Sequence, residues 1–199
     1  MKSLLTICLL ATISSTALAD KLAIVGGKVF TGSKQGTLES ATVLINGNEI
    51  VSVSASSAVP EGYQSIDASG KYVTPGLIGA YTQLGLVEVS SSAGTVDASV
   101  SSNPVSSTGA AYDVSYAINP DSSLLAISRV EGFTSAVSGI SRSDSLFHGL
   151  GAVITLSGTG DPVLKSRAFT AVNVGNSGAD SNGGSRAALW VMLEEAISE

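Results

Sequence analysis

The sequence predicts an α/β fold entered through a small β-unit, and three observations carry that expectation. Residues 22–74 break into short β-branched runs separated by glycine turns, the pattern of strands rather than helices. A nearly uncharged apolar run, residues 77–89, follows Pro75-Gly76 and has the composition of a strand buried on both faces. Beyond it, stretches of strand and helix type alternate to Glu199, the rhythm of a parallel sheet with helical crossovers.

In the β-unit, strands are expected at residues 22–25 and 28–31 around a Gly26-Gly27 break, at 41–45 and at 49–54. Asn46-Gly47, between the last two, supplies the positive φ angles of a tight hairpin. Val59-Pro60-Glu61-Gly62 reads as a loop, residues 65–67 as a brief strand, and Ala68-Ser69-Gly70 as the turn into 71–74. After the 77–89 strand, residues 90–108 are rich in serine, glycine and alanine without periodicity, which predicts a long loop. Asp121 is placed to N-cap a helix carrying Leu124, Leu125 and Ile127, which Gly132 ends. Strands at 133–137, 151–156 and 169–174 follow. A glycine- and asparagine-rich loop, 175–184, then leads through Ser185 into a helix at 186–198. Glu194, Glu195 and Glu199 crowd the last turns of that helix, where its dipole disfavours negative charge, so it reads as cut off.

Ahead of these elements, Lys2, an apolar stretch at 4–13 and Ala17-Leu18-Ala19 have the three parts of a secretory signal peptide. Cleavage is expected after Ala19, giving a secreted or periplasmic chain. The apolar stretch is too short to remain as a membrane span, which needs about 20 residues, so no membrane association is expected after cleavage. Cleavage also removes Cys8, the single cysteine, and an exported domain without disulfides must be held by an ordinary hydrophobic core. The chain then divides into the signal at 1–19, a β-unit at 20–76 and an α/β part at 77–199.

Removing Lys2 leaves nine of the ten Lys and Arg against sixteen Asp and Glu. With no basic cluster to neutralise phosphates, a nucleic-acid partner is not expected. Asp97, Asp113 and Glu131 are carboxylates without a spacing that pairs them, and read as solvated or capping groups. No Gly-x-Ser-x-Gly elbow accompanies the single histidine, His148, so no catalytic residue is assigned.

The stretch Lys71-Tyr72-Val73-Thr74-Pro75-Gly76-Leu77-Ile78-Gly79-Ala80-Tyr81-Thr82-Gln83-Leu84-Gly85 resembles the signature of the amidohydrolase superfamily, in particular its imidazolonepropionase-like branch. There, Pro-Gly-Leu-Ile-Asp precedes a His-x-His pair. The Ile45-Asn46-Gly47 hairpin and the Ile66-Asp67-Ala68-Ser69-Gly70-Lys71 approach are similar to that family's small β-sandwich. Gly132-Phe133-Thr134-Ser135-Ala136-Val137 is similar to its second barrel strand. The resemblance implies part of a composite β-sandwich, then the first part of a (β/α)8 TIM barrel. It also implies a full-length hydrolase acting on non-peptide carbon–nitrogen bonds of small-molecule substrates.

Residues two apart on a strand face the same side, so two such imidazoles can hold one metal ion, whose bound water ionises near neutral pH. Here Tyr81 and Gln83 occupy those positions, and Gly79 replaces the aspartate. Neither a neutral phenol nor an amide is a good zinc ligand. His148 lies among Leu146, Phe147 and Leu150 and reads as a core or turn residue before a ligand. Glu88, just past the strand, is the remaining residue expected near the barrel mouth. No cofactor is expected for this chain, zinc or another divalent ion being reserved for a full-length form. The rival expectations are a binding or scaffold protein that has lost the metal site, and an inactive fragment.

Overall fold

The computed structural model describes residues 21–56, 58–100 and 109–198. The expected signal peptide and residues 101–108 of the expected loop lie outside them. The chain forms two compact units, one ending at Pro75 and one starting at Gly76.

The first unit contains strands β1 (Lys21–Phe30), β2 (Thr37–Asn46), β3 (Glu49–Ser54), β4 (Gln64–Asp67) and β5 (Tyr72–Val73). They form one sheet in the order β3-β2-β1-β4, with β5 also on β1. The expected break at Gly26-Gly27 is a bulge inside a continuous β1, marked by register shifts between Val25 and Val29 and by φ +80° at Gly26. The β2–β3 hairpin forms as expected, but its central residues are Gly47 and Asn48, because Asn46 pairs with Glu49. Gly47 alone of the two has positive φ, the arrangement of a hairpin turn with glycine first. Val29, Ala41 and Val43 form the buried centre of this unit.

The second unit contains β6 (Leu77–Thr82), β7 (Ser99–Val100), α1 (Ser123–Val130), β8 (Phe133–Ser138), β9 (Arg142–Ser143), β10 (Phe147–Thr155), β11 (Val163–Val172), α2 (Asn176–Ser181) and α3 (Arg186–Ser198). Its main sheet has the order β11-β10-β8-β6. Only β6 and β8 are parallel; β8 with β10, and β10 with β11, are antiparallel. The expected all-parallel rhythm is therefore corrected to a mixed sheet, and no closed barrel is present among the described residues. The physical reason lies in the connections: the links Ser138 to Phe147 and Thr155 to Val163 are too short for the crossover of a dozen or more residues that parallel strands require. The core gathers Leu125 of α1, Ala136 of β8, Ala152 and Ile154 of β10, and Leu86 and Val114 from the segments between.

Three further expectations are corrected. The 77–89 strand ends at Thr82 and is not buried on both faces, since Leu77 and Ile78 are 51% and 66% exposed. The part of the 90–108 loop that is described carries a short 3-10 turn and β7, which pairs in parallel with β9. The 175–184 loop contains α2, whose Gly178 must lack a side chain: a Cβ there would stand 1.7 Å from the Asn173 carbonyl oxygen. The final helix α3 forms as expected, with the Ser185 hydroxyl accepting from the Ala188 N–H at 3.2 Å, a capping interaction. Among the described residues no helix is long and apolar enough to cross a membrane.

Candidate functional site

The carboxyl ends of β6 and β8 lie side by side, the end at which α/β-barrel enzymes carry their chemistry. Polar side chains tie these ends together. The Thr82 hydroxyl donates to the Val137 carbonyl and lies 3.1 Å from the Ser138 hydroxyl. Ser138, fully buried, donates to the Leu84 carbonyl at 2.8 Å. The Gly139 N–H donates to the Thr82 carbonyl at 3.1 Å. These bonds turn the chain out of β6, which is why an apolar run of thirteen residues does not continue as strand.

Tyr81 reaches from the last turn of β6 toward the segment after β8. Its hydroxyl donates to the Ile140 carbonyl at 2.7 Å, and its ring meets Phe169 of β11 edge-on, with centroids 5.8 Å apart. Partial burial pushes the phenol pKa up, so Tyr81 is a neutral hydrogen-bond donor at this end of the sheet. The aromatic pair fits because two glycines make room for it. A Cβ at Gly151 would stand 1.9 Å from the Phe169 ring, and one at Gly139 would stand 3.2 Å from both Phe169 and the Tyr81 hydroxyl. Gly79, at the position expected for aspartate, packs on Ala136. Gln83 lies beyond the end of β6 and is exposed; its carbonyl accepts from Leu86 and Val87. The strand geometry that would aim residues 81 and 83 into one site thus stops between them.

Glu88 does not enter the mouth of the sheet. Its Oε1 accepts from the N–H of Ser123 at 3.0 Å and from the Ser123 hydroxyl, placing a carboxylate at the N-terminus of α1, where the helix dipole favours it. Hydroxyls of Ser122 and Ser123, with the Ser123 N–H, hold its pKa below the usual glutamate range. The expected N-cap, Asp121, is displaced from that role: Ser122 holds the cap position without a side-chain bond to the helix's own N–H groups, and Glu88 accepts from the Ser123 N–H instead. No local pattern marks this, because the partner lies 35 residues earlier.

The other carboxylates are structural. Asp113 Oδ1 accepts from the N–H and hydroxyl of Ser115 at 3.0 and 2.6 Å, and its Oδ2 pairs with Arg167 Nε at 2.8 Å. Burial pushes its pKa up, but Arg167 and Ser115 together outweigh burial and hold it below the usual range. Glu131 closes α1 through its N–H, and Asp97 is an exposed side chain. His148 is in β10, 7% exposed, with no hydrogen-bond partner for Nε2. Sequence reasoning missed Phe169, Ile140, Gly139 and Gly151, which meet Tyr81 only through the sheet.

These residues do not fit the divalent metal that a His-x-His pair would hold. The Tyr81 oxygen is a neutral donor engaged by Ile140, Gln83 is off the strand, and no three His, Cys, Asp or Glu side chains among the described residues come together.

No protein-family model matches the sequence, and no curated protein does. Among solved structures, the fold is similar to that of an amidohydrolase from Thermotoga maritima MSB8, with TM-score 0.73 and 18% identity over 89% of this chain. The chain spans 47% of that protein's length. Shorter likenesses cover 35% of the chain with a prolidase complexed with N-methylphosphonate-L-proline (30% identity, 17% of that chain, TM-score 0.31). They cover 34% with a molinate hydrolase (31% identity, 15% of that chain, TM-score 0.30). The mixed α/β arrangement is thus amidohydrolase-like in fold.

Proposed function

We propose that this chain is the amidohydrolase-like portion of an exported hydrolase of the imidazolonepropionase-like branch, whose full-length form cleaves non-peptide carbon–nitrogen bonds in small molecules. The observation that carries this reading is the fold likeness over 89% of the chain. The Pro75-Gly76-Leu77-Ile78 framework and the strand that it opens add the branch, and residues 2–19 add export. The open reading frame tests the reading directly. If it continues past Glu199 into barrel strands bearing separated histidines and an aspartate, hydrolysis is supported; if those positions are also substituted, it fails. N-terminal sequencing of the processed chain tests export, with Asp20 as the expected first residue.

The Tyr81 hydroxyl bond to Ile140 favours a second reading, a binding or scaffold protein in which a hydrogen bond does the cross-strand work of a metal. Metal analysis of the purified chain is expected to find no stoichiometric zinc. One tightly bound ion per chain would overturn the reading of Tyr81 and Gln83.

A further inference from the structure

The chain's single histidine stands in the wall of a cavity of about 460 Å³ in the second unit, lined by residues of polar type. It is built from the segment that follows β8, the start of β10, the exit from β11 and helix α2. Arg142, Asp144, His148, Asn173 and Asp180 are its chemistry-bearing residues. Register places it: Ala152 lies opposite Ser138, so His148 extends past the carboxyl end of β8.

The frame of this cavity is rigid where it meets the core. Ala179 of α2 packs with Leu146, Leu189 and Leu193, and Gly178 sits directly on the Asn173 carbonyl. Asn173 is held at both ends of its amide, donating to the Ser177 hydroxyl at 2.9 Å and accepting from the Gly175 N–H at 3.0 Å. The charged groups are uncommitted. Arg142, Asp144 and Asp180 enter no ion pair among the described residues, although all three line one cavity. His148, 93% removed from solvent by its 7% exposure, keeps Nε2 without a partner. A buried ring nitrogen left unpaired costs stability unless something bonds to it.

We infer that this cavity is a binding site for a small zwitterion carrying one ammonium and one carboxylate. The guanidinium of Arg142 matches a carboxylate in a bidentate geometry, and Asp144 and Asp180 accept from an ammonium. Asp144 and Asp180 against Arg142 put two acidic side chains and one basic side chain on the wall, a balance that favours a ligand carrying an ammonium over a plain anion. No metal explains the group, since no three His, Cys, Asp or Glu side chains converge among the described residues. The volume falls within the roughly 300–1,000 Å³ of small-molecule sites. The cavity adjoins the segment that Tyr81 bonds, since Ser141 and Arg142 follow Ile140 directly, and the inference rests on the cavity's own wall, not on hydrolysis by a full-length protein.

Because His148 is the only histidine, its imidazole signal in an NMR spectrum of the full chain reports on this cavity alone. 4-Aminobutyrate is the probe, with butyrate and butylamine as single-charge controls. The zwitterion is expected to shift the His148 signal saturably and the controls are not. Arg142→Gln and Asp180→Asn, both at exposed side chains, are expected to weaken the zwitterion at least about tenfold, the loss of one charged hydrogen-bond partner. An unsaturable response, an equal response to either control, or unchanged affinity in both variants overturns the proposal.

Discussion

Replacing Tyr81 by phenylalanine isolates the one bond that distinguishes this end of the sheet from a metal-holding one. Phenylalanine keeps the ring against Phe169 and removes only the hydroxyl that reaches the Ile140 carbonyl at 2.7 Å. A neutral hydrogen bond is worth about 0.5–1.5 kcal/mol net, and stranding its buried partner raises the cost to about 1–3 kcal/mol. Ile140 is 3% exposed, so its carbonyl has little access to water and the expected loss is about 1–2 kcal/mol. In a domain of this size, about 1 kcal/mol lowers the Tm by about 4 °C. Tyr81→Leu removes the edge-on ring contact as well, worth about 0.5–1.5 kcal/mol. A double-mutant cycle with Phe169→Leu should return a coupling of that order. Urea unfolding followed by the signal of the second unit reads both. A Tyr81→Phe variant within about 0.3 kcal/mol of the parent, below the least value of such a bond, would refute the view that the phenol ties β6 to the segment after β8.

Gly151→Ala should cost about 1–3 kcal/mol by overpacking, since its Cβ would lie 1.9 Å from the Phe169 ring; the loss should shrink when Phe169→Leu is added, as measured by chemical denaturation. Acid should weaken the second unit through Glu88 and Asp113, whose pKa values are held below their ordinary 4.5 and 3.8. A folded-state pKa below the unfolded value gives stability that is complete above the unfolded pKa and disappears as pH falls through the folded one. The Tm should therefore decline below about pH 4.5, and Glu88→Gln should flatten that decline; a decline of unchanged slope in the variant would count against the helix-capping role. At neutral pH, Asp113→Asn should cost about 1.5 kcal/mol, the low end for charged hydrogen bonds, because its partner Arg167 is largely in water.

Local chemistry was readable and long-range chemistry was not. The β2–β3 hairpin follows from a glycine that can take φ +59° between β-branched runs, and α3 from an uninterrupted helix-forming segment behind Ser185. The end of β6 was not readable, because the apolar pattern continues to Val89 while the bonds that bend the chain away involve Val137, Ser138 and Gly139. Strand direction was readable in principle: the short link from Ser138 to Phe147 excludes a parallel crossover, but composition alone made 151–156 look like another parallel strand. At the candidate site, the resemblance located Tyr81 and Gln83, and elementary coordination chemistry marked a neutral phenol and an amide as poor zinc ligands. What the phenol does instead depends on Ile140, 59 residues away, and on two glycines whose only mark in the sequence is their small size.

The mixed direction of the main sheet also sets an order of assembly. Strands β8, β10 and β11 lie close in sequence as well as in space, with only the two-residue β9 between the first two, so their pairing closes only short loops and can precede the rest of the second unit. Strand β6 must instead find β8 across the whole of residues 83–132, and until it arrives the edge of β8 stands open to any other extended chain. The interval before β6 docks is thus when an emerging chain is most exposed to mispairing, and the Tyr81 bond is among the contacts that end it.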